Sequence, residues 1–421
     1  MGMTIAEKIL AAHADRDQVK PGDFVWCRID ATSSASGSQL DQLYELGVTE
    51  LANPDNVYMV EDHLAPPPSV VAANNVMKLR KAVKDFGVKN FWEYGRGGIT
   101  HQLYPENGMI APGDLIAMPD SHSTAGGVFN ACTTNAAMDT LLCLIFGEYW
   151  FRVPESIEVQ LVGAYPGPEN MIFGKDIVLK ILGTWGSEVG LYKSMEFRGP
   201  AADEMSLSSR WTISNMGVEM GAKFAIFEAD EKVDEFLEGR VDRPYERVFP
   251  DAGANYAERL TLDVTNLEPQ VACPHDPSNV KPISEVEADH IKVNQALIGS
   301  CTNARMEDFR AAAKILKGHE VHPDVRLLCS PASQAIWKEC LKEGLWEIFA
   351  DAGANVEHST CGPCFGGHMG VLGDTEVSIS STNRNFMGRQ GSPESFVYLS
   401  NPAVVAASAV TGYITDPRKF L

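Results

Sequence analysis

The chain has 421 residues, 44% hydrophobic and 22% charged, the balance of a soluble globular protein and too long for one ordinary core. Against 35 Lys and Arg stand 56 Asp and Glu, a formal charge of −21, which excludes nucleic acid as a main partner because phosphate contacts need a basic surface. No apolar run approaches the roughly 20 residues of a membrane span, and the opening ten residues lack the basic start, apolar segment and cleavage site of a signal peptide. The cytoplasm is the expected compartment, and the nine cysteines are expected there as thiols, clustered ones for metal or catalysis and scattered ones for packing.

In chain order, Thr4 and Glu7 form a capping box that opens a helix through Ala12. Residues 24–29 read as a strand, 32–38 as a Ser-rich loop, and a helix starts at Gln39. Residues 56–60 are a strand that delivers Glu61, Asp62 and His63, and the prolines at 66–68 force an extended exit before a helix over 70–83. Residues 95–102 read as a loop with a polar tip that holds His101. The strand 115–118 delivers Asp120, Ser121 and His122, and a long apolar helix follows from Ala136 to about Phe146. Residues 156–161 alternate as a half-buried strand. Lys175 and Asp176 precede a helix through Leu182, and Asn215 and Glu219, four apart, fall on one helix face. Residues 242–292 are rich in Pro, Asp and Asn and read as a linking region. The last third opens with the buried strand 293–298, ending in a turn at Cys301. Helices over 307–316 and 333–341 flank a strand at 325–329. The Cys361/Cys364 turn follows, then a strand over 377–382 that delivers Asn383, Arg384 and Arg389. Asn401 and Pro402 open an Ala-rich helix that stops at Gly412. Strand, polar turn, helix is the α/β pattern, with functional groups at the carboxyl ends of strands.

Three groups of residues carry chemistry. Cys361-Gly-Pro-Cys364 alone suits zinc, a redox pair or neither. Zinc wants a fourth closed ligand and no second Cys-x-x-Cys exists, although His358 and His368 flank the turn. A thioredoxin-type pair belongs near the start of a βαβ unit, not this late. With Cys301, the turn makes three thiolates, and an iron–sulfur centre on three thiolates leaves one iron open as a Lewis acid. Asp62-His63, His101 and Asp120-Ser121-His122 pair carboxylates with imidazoles for acid–base work. A Ser-His-Asp hydrolase is the rival, but Ser121 lacks a Gly-x-Ser-x-Gly elbow. Arg384 and Arg389 on one loop of an acidic protein read as a carboxylate clamp.

Together these stretches resemble the aconitase superfamily, and the resemblance runs through the whole chain. They are Gly299-Ser-Cys301-Thr-Asn303, Cys361-Gly-Pro-Cys364, Asn383-Arg384-Asn385-Phe386-x-Gly388-Arg389, Asp62-His63, His101-Gln102, Asp120-Ser-His122, Lys175-Asp176 and Asn215-Met-Gly-Val-Glu219. The resemblance implies an α/β fold of three packed domains around an iron–sulfur cluster, without a fused swivel domain. A separate small subunit is then implied, carrying the base that removes the substrate proton. Cys301, Cys361 and Cys364 are implied to hold a 4Fe–4S cluster. Asp62, His63, His101, Asp120 and His122 handle the proton for the leaving hydroxyl. Asn215 and Glu219 position water and substrate, Arg384 binds a substrate carboxylate with Asn383 beside it, Arg389 supports the site, and Ser121 approaches substrate or cluster. The implied reaction is dehydration of a 2- or 3-hydroxy di- or tricarboxylate. The isopropylmalate dehydratase type stands first, and homoaconitase and dehydratases of methylated malates or maleate are rivals. An iron-responsive regulatory module is the alternative of a different class. The expected units are 1–157 with the Asp and His loops, 158–285 with Asn215 and Glu219, and 286–421 with the cysteines.

Overall fold

Three sheets built largely from parallel strands organise the chain, whose computed structural model describes residues 2–34 and 37–421, with residues 37 and 38 as backbone only. The first sheet has five parallel strands in the order Asn90–Trp92, Val57–Val60, Ala31–Ser34, Leu115–Met118 and Cys132–Asn135. The second has four, Phe224–Phe227, Ser194–Arg198, Ser156–Val162 and Glu258–Asp263, also parallel. The third has seven, in the order Val280–Pro282, Gln270–Ala272, Phe396–Leu399, Val377–Ser380, Gln295–Ile298, Arg326–Cys329 and Asn355–Val356. Its last five are parallel, and the first two join them antiparallel. Gln270–Ala272 and Val280–Pro282 precede residue 286 yet hydrogen-bond onto this third sheet.

Helices cover both faces of parallel sheets, so central strands are buried along their whole length, as Val57–Val60, Leu115–Met118 and Gln295–Ile298 are. The capping box at Thr4 and Glu7 is formed and opens Ile5–His13. Asn401 caps Pro402–Thr411 through the Val404 N–H, and Gly412 closes that helix at φ 79°, where a side chain would be strained. Among the described residues no helix is long and apolar enough to cross a membrane.

Several expectations need correction. The Ser-rich stretch is not a loop: Ala31–Ser34 is the central strand of the first sheet, fully buried. Its hydroxyls are satisfied inside, Thr32 donating to the Ala117 carbonyl at 2.7 Å, so polar composition does not force it to the surface. Ala35 and Ser36 of that stretch lie outside the described residues. The strand read at 24–29 is Phe24–Arg28 and stands apart in a two-stranded ribbon with Glu148–Arg152. His101 is not on a loop tip but in the helix Thr100–Glu106. The apolar helix read from Ala136 is only Thr140–Phe146, after the strand Cys132–Asn135 and a single turn at Ala137–Asp139. The linking region 242–292 holds Glu258–Asp263, Gln270–Ala272, Val280–Pro282 and the helix Ile283–Ala288. Its strands are short and its turns rich in Pro and Asn, which hides them from periodicity.

Candidate functional site

A cavity of about 180 Å³ opens where the carboxyl ends of the first and third sheets meet. Val57–Val60 delivers Asp62 and His63 to it, the helix Thr100–Glu106 delivers His101, and Leu115–Met118 delivers Asp120, Ser121 and His122. From the third sheet, Gln295–Ile298 delivers Cys301, the turn Gly362–Phe365 brings Cys361 and Cys364, and Val377–Ser380 delivers Asn383, Arg384 and, further on, Arg389. The two sides are tied together: the Asp62 carbonyl accepts the Cys361 N–H at 2.9 Å and the Thr360 hydroxyl at 2.8 Å.

On the first side, carboxylates and imidazoles alternate. His63 Nδ1 lies 2.6 Å from Asp62 Oδ1 and its Nε2 3.3 Å from Asp120 Oδ2. His101 Nε2 lies 3.1 Å from Asp120 Oδ1. Burial would raise the Asp120 carboxyl, but His101 and His63 hold it well below the usual carboxylate range. Burial would lower the His101 imidazole, but Asp120 raises it to about 10. Asp62 raises His63 well above an ordinary imidazole, against burial. For Asp62 itself, His63 and the Thr100 N–H outweigh burial and keep it ionised.

A second chain of contacts runs from His122 to the arginine. His122 Nε2 lies 2.9 Å from Glu219 Oε1, and the same oxygen accepts Arg384 Nε at 2.7 Å. Arg384 Nη1 reaches Ser121 Oγ at 3.1 Å, and that hydroxyl lies 3.2 Å from His122 Nδ1. Burial would raise Glu219, but His122 and Arg384 keep its carboxyl below the ordinary value.

Two of the three thiols, Cys301 and Cys364, are set for deprotonation, whereas the hydrogen bond to Cys364, with burial, raises Cys361 well above the usual thiol range. Arg389 Nη2 lies 3.6 Å from Cys364 Sγ. The hydrogen bond from Cys361 lowers Cys364 well below the usual thiol range, against burial and with help from Arg389. Burial would raise Cys301, but His122 and His101 bring it down. The Asn383 amide bridges the cysteines, Nδ2 lying 3.5 Å from Cys301 Sγ and Oδ1 3.4 Å from Cys364 Sγ. His368 packs on Gly362 so closely that a Cβ there would fall 2.0 Å from its Nε2, which explains the glycine in the turn. His358 bonds the Ala65 carbonyl. Neither flanking histidine lines the cavity. Among the described residues no three His, Cys, Asp or Glu side chains converge tightly enough for a single ion. Three thiols spaced around one cavity suit a polynuclear centre, in which each sulfur meets a different metal atom. The buried Arg389 Nε has no protein partner, which leaves that wall ready for a further group. The donor set therefore fits an iron–sulfur cluster.

Behind this lining, Thr302 Oγ1 donates to Asn215 Oδ1 at 3.0 Å and accepts from Asn383 Nδ2 at 2.9 Å. Buried Arg305 donates to the Cys301 carbonyl at 3.0 Å and to Thr212 Oγ1 at 2.9 Å, and its guanidinium sits 5.0 Å above the Trp211 ring.

Residues 59–412 match the aconitase family (aconitate hydratase). The chain belongs to the aconitase family. Within that family it is 45% identical to the 3-isopropylmalate dehydratase large subunit of Halothermothrix orenii, over 100% of both chains. It is 44% identical to the proteins of the same name from a Sulfurihydrogenibium species, covering 99% of this chain and 96% of the relative, and from Thermodesulfovibrio yellowstonii, covering 100% and 99%. The holo-form crystal structure of aconitase X from Thermococcus kodakaraensis shares the fold, with a TM-score of 0.51 at 13% identity over 98% of this chain and 92% of that one.

In this aconitase-family chain the sequence-derived site residues meet at one place, with two exceptions. Asn215 and Glu219 do not line the cavity: Glu219 stands one hydrogen bond behind it, on His122 and Arg384, and Asn215 two, through Thr302 to Asn383. Nor do they share a helix face: Asn215 ends Leu207–Asn215, and Glu219 lies in a separate turn, Val218–Met220. Sequence reasoning missed Ile99 and Phe365, which wall the cavity, and Thr302 and Arg305, which hold its floor. Ile99 and Phe365 carry no chemical signature, though both adjoin motif residues. Arg305 reads as an ordinary arginine at the start of a helix.

Proposed function

We propose that this chain is the catalytic large subunit of a hydro-lyase of the 3-isopropylmalate dehydratase type, acting in leucine biosynthesis with a separate small subunit and a 4Fe–4S cluster. The observation that carries the reading is the convergence of three thiols, a carboxylate–imidazole network and Arg384 on one cavity. Cys301, Cys361 and Cys364 would hold the cluster, which when bound supplies a Lewis acid for the substrate hydroxyl.

This chain's residues do the rest. Arg384, oriented by Glu219 and Ser121, takes a substrate carboxylate through the edge of its guanidinium that those residues leave open. His101, charged by Asp120, gives a proton to the departing hydroxyl, which leaves as water. His63, held between Asp62 and Asp120, shares the Asp120 carboxylate with His101 and restores that proton through it. The carbon-bound proton goes to a base on the small subunit. A neighbouring cavity of about 540 Å³ shares Asp62, His63 and Asp120 with the site and is walled by Val60, Ala72, Val76, Leu79, Met138 and Phe365. Such a wall suits a branched aliphatic substituent better than a third carboxylate.

The test is anaerobic reconstitution of the chain, co-produced with its small subunit, followed by assay of 3-isopropylmalate, homoaconitate and methylated malates through the ultraviolet absorbance of the unsaturated acid. Broad visible absorption and turnover of 3-isopropylmalate are expected. A loaded complex that converts only another of these acids overturns the substrate, and a chain that never gains the absorption overturns the cluster.

A further inference from the structure

Lys175 is the one lysine among the described residues that is fully buried. It stands in the first turn of Gly174–Trp185, and that turn is clamped in place. The Gly174 N–H donates to Ser209 Oγ at 3.0 Å, and a Cβ on Gly174 would fall 1.9 Å from the Ser209 carbonyl oxygen. Asp176 accepts the Phe173 N–H at 2.8 Å, the Gln270 N–H at 2.9 Å and the Asn401 amide at 2.9 Å, joining the turn to the third sheet and to Pro402–Thr411. From this fixed base Lys175 Nζ donates to two main-chain carbonyls, Ser381 at 3.1 Å and Thr382. Among the described residues no carboxylate is in ion-pair or hydrogen-bond contact with it.

A buried ammonium without a paired anion is costly unless its surroundings answer the charge. Carbonyl dipoles answer part of it here. The acidic groups whose fields reach Lys175 are Glu219 and Cys364, then Asp176 and Asp308. The two carbonyls it holds belong to the residues just before Asn383 and Arg384, which bridge the cysteines and point into the cavity.

We propose that Lys175 is a positioning residue of the site: it fixes the strand exit that carries Asn383 and Arg384, and it sets a positive charge that favours anionic occupants of the cavity. Those occupants, the thiolate-bound cluster and a carboxylate substrate, are the ones named under the proposed function, and the inference rests on that reading. Hydrogen bonding and charge are separable. Lys175→Gln keeps an N–H donor for the carbonyls and removes the charge, and Lys175→Met fills similar space and removes both.

The test uses the reconstituted complex of full chain and small subunit, and reads cluster content by visible absorption, midpoint potential by dye-equilibrated titration, and KM apart from kcat. K175Q is expected to load as the wild type does, with a more negative midpoint potential, since a nearby positive charge favours the reduced, more anionic centre. Its KM rises about tenfold while kcat changes less, a loss on the scale of one charge-assisted interaction. K175M shows the same shift with a larger rise in KM. Wild-type potential and KM in both variants overturn the proposal. If neither neutral variant loads but Lys175→Arg loads at the wild-type potential, the charge assignment stands. If all three fail alike, Lys175 is a packing residue and the proposal falls. A wild-type chain that takes up no cluster overturns the proposed function instead, so the two failures are distinguishable.

Discussion

His122 and Arg384 meet at a single oxygen: Glu219 Oε1 lies 2.9 Å from His122 Nε2 and 2.7 Å from Arg384 Nε. One buried carboxylate thereby orients an imidazole from the first sheet and a guanidinium from the third. Glu219→Gln keeps the shape but removes the charge that answers both. The expected result is a fall in kcat/KM of about 10²-fold, with unchanged cluster absorption. A value within threefold of wild type would show that Glu219 is not the joint between them.

Arg384 has one hydrogen bond committed to Glu219 and one to Ser121, so its planar fork is already aimed. Arg384→Lys retains the charge but cannot make those bonds and still present two parallel donors. KM for the hydroxy acid should rise roughly 10–100-fold, and kcat should fall less, on the scale of one bidentate pair. Equal losses in the two constants would place Arg384 on the reacting atoms rather than on a remote carboxylate.

Cys301, Cys361 and Cys364 line the cavity, whereas Cys273 lies outside it, half-buried, with its carbonyl bonded to Asn385. Serine at any of the three cavity positions is expected to abolish the broad visible absorption after anaerobic reconstitution, and Cys273→Ser to load as the wild type does. Normal loading of Cys364→Ser would remove the thiol that Arg389 faces from the ligand set.

Much of the site was legible because its residues sit where a strand ends in a polar turn. Asp62, Asp120 and Cys301 follow short apolar runs and Arg384 follows the alternating Val377-Ser-Ile-Ser, patterns visible without any fold. The second layer was not legible, for tertiary reasons. Asn215 and Glu219 suggest one helical face, but the helix ends at Asn215, and Gly217 sits where a Cβ would fall 2.5 Å from the Ala225 Cβ. That close approach turns the chain and sends Glu219 toward His122. Thr32, Ser33 and Ser34 read as loop residues, yet parallel neighbours on both sides bury them as a strand. Composition reports the polarity of a side chain, not whether a partner awaits it.

Glu196 gives a pH dependence remote from the cavity. Its buried carboxyl accepts the Tyr256 hydroxyl at 2.6 Å and the Ala6 N–H at 3.2 Å, and burial raises it from 4.5 to about 7. The folded state therefore holds the proton more tightly than the unfolded chain. The stability this contributes is fully present below about 4.5 and is lost as pH rises through about 7. The loss amounts to about 3 kcal/mol. Glu196→Gln, which mimics the protonated group, should lose less stability than wild type between pH 5 and pH 8, measured by urea unfolding at both. Parallel curves for the two proteins would contradict a raised carboxyl at this position.

Gly127 tests whether the segment after His122 is held by close approach rather than by backbone conformation. It lies in Ser121–Phe129, and a Cβ there would fall 1.8 Å from the Ala225 carbonyl oxygen. Ala225 belongs to the strand Phe224–Phe227, which follows directly on the Glu219 turn. An added methyl must push that strand and the His122 segment apart, and so stretch the His122–Glu219 contact. Gly127→Ala is expected to cost about 3 kcal/mol or more in unfolding free energy, the upper range for overpacking, and to lower kcat in the fraction that stays folded. Gly318 is the control. It has φ +79° and open space around it, so Gly318→Ala meets only the backbone penalty of about 1–2 kcal/mol and should leave kcat unchanged. If Gly127→Ala were no worse than Gly318→Ala in either measurement, the first and second sheets would not be packed at backbone contact here, and the placement of His122 against Glu219 would have to come from elsewhere.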